Sequence, residues 1–133
     1  MIQANELRIG NFILPNNGTI NAFRVNAISY NDGRHTAIMY LDFPEKNQVL
    51  KLDLEDAKGI QLTEKYIVKA GFGEVGIYQN VYHKDNFRVT IGKGLCLFQI
   101  YEEDSVMGIE IKSVHQFQNL YFAITGKELE VEL

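Results

Sequence analysis

The chain has 133 residues, 46% of them hydrophobic and 23% charged, with 13 lysines and arginines against 17 acidic residues and a formal net charge of −4. These numbers describe one ordinary globular unit or two small ones, and they exclude a disordered chain, which needs fewer apolar residues and a larger net charge. The single cysteine, Cys96, excludes an internal disulfide and any zinc or iron–sulfur site built on several thiolates.

The first sixty residues read as strands and turns. Asn11 to Leu14 is a short apolar run, and Pro15-Asn16-Asn17-Gly18 carries turn chemistry. Residues 19–30 are β-rich. Phe23, Val25 and Ala27 fall on one face, while Ile20, Ala22, Ile28 and Tyr30 fall on the other. The apolar face therefore shifts within one long run, as a β-bulge or strong bend requires. Asn31-Asp32-Gly33 is a tight-turn signal. Residues 34–41 return as a strand, Phe43 to Asn47 breaks it, and Leu50, Leu52 and Leu54 then alternate with Lys51 and Asp53. The opening Leu7-Arg8-Ile9-Gly10-Asn11-Phe12-Ile13 resembles the start of SH3-like barrels, in which a glycine and a small polar residue turn the chain into the first strand.

The second half differs. Residues 62–72 predict a short helix near 63–71, with the Thr63 hydroxyl as its N-cap, Leu62 packing back on Ile67, and Gly71 with Phe72 closing its end. Strands follow at 76–83, 86–91 and 95–101. Cys96, Phe98 and Ile100 lie on one face of the third, Leu95, Leu97 and Tyr101 on the other, which predicts a central strand covered on both sides. Residues 107–112 add one more strand. The last helix, 113–125, starts with the capping box Ser113-x-x-Gln116 and ends at Gly126. Val114, Phe117, Leu120, Tyr121 and Ile124 form its core stripe. The tail, with Leu129, Val131 and Leu133 alternating against three glutamates, predicts an outer strand.

Few residues combine into recognisable chemistry. His35, His83 and His115 lie on three separate elements without ligand spacing, so no metal site is expected. Cys96 sits among Leu95, Leu97 and Phe98, surroundings that raise a thiol's pKa and make it inert. Gly71-Phe72-Gly73-Glu74-Val75-Gly76 has dinucleotide-loop spacing. Its helix precedes it and its strand follows, however, so a phosphate would meet the wrong end of the helix dipole. Glu102-Glu103-Asp104 reads as a solvated turn, with nothing apolar beside it to raise one pKa for acid–base work. No catalytic residue and no cofactor are expected. Residues 102–133 hold seven acids against two lysines, a local charge of −5 that fits a solvated face or a dock for a basic partner.

The unusual feature is the far face of the last helix. His115, Gln118, Asn119 and Phe122 cluster opposite the core stripe, with no formal charge, several hydrogen-bonding groups and a ring. Surface helices normally carry lysine and glutamate there. Three explanations stand side by side, the last being a small-molecule site. A second layer covers this face, supplied by a neighbouring strand or by the N-terminal half. Or it is a protein–protein contact, foremost a self-association surface, where aromatics are enriched and charges depleted.

Asn5-Glu6-Leu7-Arg8-Ile9-Gly10-Asn11, Leu62-Thr63 leading to Gly71-Phe72, and the segment from Val114-His115-Gln116-Phe117 to Gly126-Lys127-Glu128-Leu129 together resemble a family of small phage- and prophage-associated proteins of Bacteroides-type bacteria. The likeness spans the two ends and the middle of the chain. It implies an accessory cytoplasmic protein of bacterial or phage origin, with no activity, cofactor or catalytic residue attached.

The sequence thus predicts a β-rich α+β protein. Residues 1–61 form a small SH3-like curved sheet or barrel; residues 62–133 form a mostly antiparallel sheet with two helices. The leading function is a non-catalytic interaction module with a protein partner or a second copy. The first alternative is nucleic-acid binding through Arg8, Arg24 and Arg34 of the N-terminal half, which must weaken steeply with salt. The second is a small enzyme, which needs titratable groups gathered in one pocket. No leader pattern opens the chain and no segment is apolar enough for a membrane span, so the expected location is cytoplasmic.

Overall fold

The computed structural model describes residues 2, 4–15, 23–31, 34–41, 49–74, 76, 79–92, 94–100 and 108–131. The fold is β-rich α+β, with two five-stranded antiparallel sheets and two α-helices among the described residues. Two compact units share the chain. One comprises Met1–Ile60 and Ser113–Gly126, the other Gln61–Lys112 and Lys127–Leu133. The division read from sequence, 1–61 and 62–133, differs in one element: the last helix belongs with the N-terminal unit. Its side chains hydrogen-bond to the backbone of residues 6–12, a pairing across more than a hundred residues that no local pattern announces.

In the N-terminal unit a 3-10 turn, Ala4–Glu6, leads to β1 (Phe12–Pro15), β2 (Phe23–Asn31), β3 (Arg34–Leu41) and β4 (Val49–Asp53). A second 3-10 turn, Leu54–Asp56, leads to β5 (Ala57–Gly59). The sheet order is β4-β3-β2-β1-β5. β2 carries the bulge that its pattern requires: Val25 pairs with Met39 and Ala27 with Ile38, so one residue of β2 is extra. The insertion reverses the alternation, and Ile28 joins the cluster holding Phe23 and Val25. Ile2, Leu7, Ile13, Leu54 and Ala57 complete that cluster. Each large aliphatic side chain buried this way contributes roughly 1.5–3 kcal/mol. β5, absent from the sequence reading, pairs with β1 through Ile13–Gly59, Leu14–Lys58 and Pro15–Ala57. Three residues ending in a glycine are too few to display an alternation.

The helix of this unit is α2 (Val114–Thr125). The Ser113 hydroxyl accepts the Gln116 N–H at 3.3 Å, and Gly126 ends the helix at φ +71°. The buried face is not the predicted stripe. Val114, Phe117 and Tyr121 are buried as expected, but Ile124 is exposed and Leu120 half-buried, while His115 and Gln118 are inside.

In the second unit α1 (Glu64–Lys69) is followed by β6 (Gly73–Glu74), β7 (Val81–Lys84), β8 (Phe87–Gly92), β9 (Leu95–Ile100) and β10 (Gly108–Ile111). They form a meander in the order β10-β9-β8-β7-β6. The end of α1 is a Schellman motif: Phe72 N–H donates to Ile67 O and Gly71 N–H to Val68 O, with Gly71 at φ +89°. Its start differs from expectation. Thr63 occupies the N-cap, but its hydroxyl makes no capping bond; its carbonyl accepts from Tyr66 and Ile67 instead. Lys84 pairs with Phe87, so Asp85 and Asn86 form a two-residue hairpin loop, Asp85 at φ +52°.

β9 is central, between β8 and β10, with Cys96 and Phe98 buried, but it is not covered on both faces: Leu95 is exposed and Leu97 half-buried. The Phe87 and Phe98 rings stack at 5.4 Å between centroids. The strand predicted from residue 76 begins only at Val81 among the described residues, after Asn80 at φ +63°. Leu129 and Val131 are buried while Glu128 and Glu130 are exposed, so the tail alternates in burial, but residues 127–131 join no sheet. The expected turns at 16–18, 32–33, 43–47 and 102–104, and the last two residues, lie outside the described residues.

Candidate functional site

The site begins with a turn. Arg8 N–H donates to Asn11 Oδ1 at 2.7 Å and Asn11 N–H to Arg8 O at 3.1 Å, closing residues 8–11 on themselves. Gly10 takes φ +97°, open to glycine at no steric cost. Gly10 N–H then donates to Val25 O, and Asn11 O accepts from Val25 N–H, so the turn feeds β1 into its place beside β2.

This turn leaves backbone groups facing α2, and two amide side chains meet them. Gln118 Oε1 accepts the Phe12 N–H at 2.9 Å, and Gln118 Nε2 donates to Gly10 O at 3.1 Å. One amide thus plays the part of an adjoining strand. Asn119 Oδ1 accepts from Asn11 Nδ2 at 2.8 Å and from Arg8 Nε at 3.0 Å, while Asn119 Nδ2 donates to Glu6 O at 2.6 Å. Asn11 is 0% exposed and Gln118 2%. Buried amides in a fully paired network rigidify a fold, whereas an unpaired buried charge would cost several kcal/mol. That accounts for the missing lysines and glutamates on this face of α2.

The four residues singled out from sequence therefore divide. Gln118 and Asn119 bind the chain's own first turn. His115 is 6% exposed and packs on β5, where a Cβ on Gly59 would come within 2.9 Å of the ring. Its Nδ1 is buried without a hydrogen-bond partner, and its Nε2 lies 3.5 Å from Ser113 Oγ. Burial pushes the His115 pKa down, with the Glu6 charge acting weakly the other way. Phe122 is 37% exposed and carries the Arg8 guanidinium 4.0 Å above its ring. Beside Arg8 in the chain, Ile9 is 62% exposed. Arg8, Asn11 and Gly59, half of this arrangement, were not readable as partners of α2. Only the Gly10-Asn11 turn gave a local signal.

Reactive groups elsewhere are held apart. The Cys96 thiol is buried, donates weakly to Leu62 O at 3.9 Å, and has its pKa raised by that burial. The Tyr82 ring is buried, and its hydroxyl is hydrogen-bonded to the Glu64 carboxylate; that bond first, and then desolvation, push its pKa up to about 12. Among the described residues no three His, Cys, Asp or Glu side chains gather as metal ligands, and no helix is long and apolar enough to cross a membrane. Compared with known proteins, the chain matches no family model, no curated protein and no solved structure.

Proposed function

We propose that the chain is a non-catalytic protein-interaction module whose contact surface is the edge of the N-terminal unit where Arg8 lies over Phe122, and whose occupant is a second copy. The observation that carries this reading is the partly exposed ring with a cation fixed on it. Arginine and aromatic residues dominate interface hot spots. Here Arg8 is already held by Asn119, so little side-chain freedom remains to be lost on association. The unit's order β4-β3-β2-β1-β5, with a 3-10 turn before the last strand, supports an SH3-like reading of this half. The likeness of Glu6 to Asn11 and of Val114 to Leu129 to the phage-associated family supports an accessory protein of mobile-element origin working in the cytoplasm.

Light scattering tests the proposal. The wild-type chain is expected to give a dimer mass at tens of micromolar and the Phe122→Glu variant a monomer. A monomer for both overturns self-association through this edge.

A further inference from the structure

We propose that the first turn of α2 is an acid-released latch: protonation of His115 detaches α2 from β5 and from the turn at residues 8–11. Three features carry this. First, the imidazole is enclosed. It packs on Gly59 so tightly that a methyl group there would meet Cε1 at 2.9 Å and Nδ1 at 3.2 Å. Second, Nδ1 is buried and has no acceptor. A neutral ring can leave that nitrogen as an unused lone pair at modest cost. An imidazolium carries a proton on both nitrogens, and the Nδ1 proton would be a buried, charged, unpaired donor. Third, His115 is the second residue of α2, where the free N–H groups and the helix dipole disfavour a positive charge.

The surroundings offer little compensation. The β5 residue in contact is Gly59, and the neighbour at Nε2 is the uncharged Ser113 hydroxyl, already accepting the Gln116 N–H. Among the described charged groups, Glu6 of the first 3-10 turn acts on the ring and favours the charged form, but desolvation outweighs it. Movement of the first turn of α2 is transmitted at once. Gln118 and Asn119 follow one helical turn later and hold Phe12, Gly10, Asn11 and Glu6.

The sign follows from linkage. The folded state binds its proton at a lower pH than the unfolded state, whose midpoint is the ordinary 6.5. The stabilisation is complete above 6.5 and is lost as pH falls toward the lowered folded midpoint. Within that window the opening equilibrium rises about tenfold per pH unit.

Amide hydrogen exchange on the full chain at pH 7.5 and pH 5.5, corrected for the intrinsic rate, reads this directly. Protection is expected to fall, by at most about tenfold, in α2 and at Gly10 and Phe12, while β7 to β9 keep theirs. His115→Asn, which lacks a group titrating in this range, is expected to abolish the change, and His83→Gln, at an exposed position of β7, to retain it. An unchanged protection of α2 in the wild type overturns the proposal, as does an equal fall in His115→Asn. Should His115→Asn not fold, the wild-type ring resonances decide. A His115 midpoint at or above 6.5 with the folded spectrum intact refutes the latch, as does loss of folded α2 signals before the ring is protonated; loss of those signals together with ring protonation supports it.

Discussion

α1 and α2 both end on a glycine in the left-handed region, but they are fastened to their own sheets by different means. β7 grips α1 at its two ends: Tyr82 bonds to Glu64 in the first turn, and Lys84 Nζ donates to Ala70 O at 3.1 Å past the last. Both contacts place charge where a helix dipole favours it, a carboxylate at the N-terminus and an ammonium at the C-terminus. α2 has no acidic residue in its first turn and no basic one in its last. It is fastened through its middle by neutral amides that pair with backbone. A six-residue helix can be held by its ends because its ends are nearly all of it. A twelve-residue helix laid along β1 presents its flank, and the unpaired backbone there asks for donors and acceptors, not charge.

The sharpest way to break this contrast is to remove Gln118. Gln118→Ala leaves the buried Phe12 N–H and the half-buried Gly10 carbonyl without this partner, at about 1–3 kcal/mol each, so urea unfolding is expected to show a loss of about 2–6 kcal/mol. A loss under about 0.5 kcal/mol would mean that water replaces the amide there and that α2 is held by Val114, Phe117 and Tyr121 alone.

How much of this was legible depends on the range of the physics. The β2 bulge, β3, both helix stops and the Ser113 cap are local. Each is written in residues no more than a few positions apart, such as Phe23 and Val25 against Ile28, or Gly71 beside Phe72. The uncharged face of α2 was visible as an anomaly, but its meaning was not, because Asn11 and Asn119 are 108 positions apart and nothing in either neighbourhood names the other. For the same reason the core stripe was drawn too far toward Ile124. Periodicity finds one apolar face and cannot know that a second, polar face is also covered. Charge and aromaticity singled out Phe122, but they could not supply the Arg8 guanidinium above it.

A smaller effect sharpens the α1 side. Tyr82→Phe keeps the buried ring and deletes only the hydroxyl, so the expected cost at neutral pH is about 1 kcal/mol. Alkali separates this contact from simple packing. The tyrosine midpoint rises from 10.0 to about 12 on folding. Its contribution is therefore whole below pH 10 and disappears as pH rises through 12. The wild type is expected to lose stability across that window and Tyr82→Phe to lose less, in denaturant melts taken at pH 9, 10.5 and 11.5. Parallel curves would show that the hydroxyl does not clamp α1.

The smallest expected effect comes from the two N-caps, and here the informative quantity is a difference. Ser113 and Thr63 occupy the same position, with the same extended backbone, at the head of a helix. Only Ser113 uses its hydroxyl, accepting the Gln116 N–H while its carbonyl accepts from Phe117; in α1 the equivalent Tyr66 N–H donates to the Thr63 carbonyl, so the Thr63 hydroxyl is left out of the cap, and the short helix is held at this end through Glu64. Ser113→Ala is therefore expected to cost about 1 kcal/mol, and Thr63→Ala no more than a few tenths, close to an ordinary surface substitution. Equal costs in thermal or urea unfolding would mean that capping strength follows residue type and not the bond made, and that the clamp from β7 does not relieve α1 of the need for a cap.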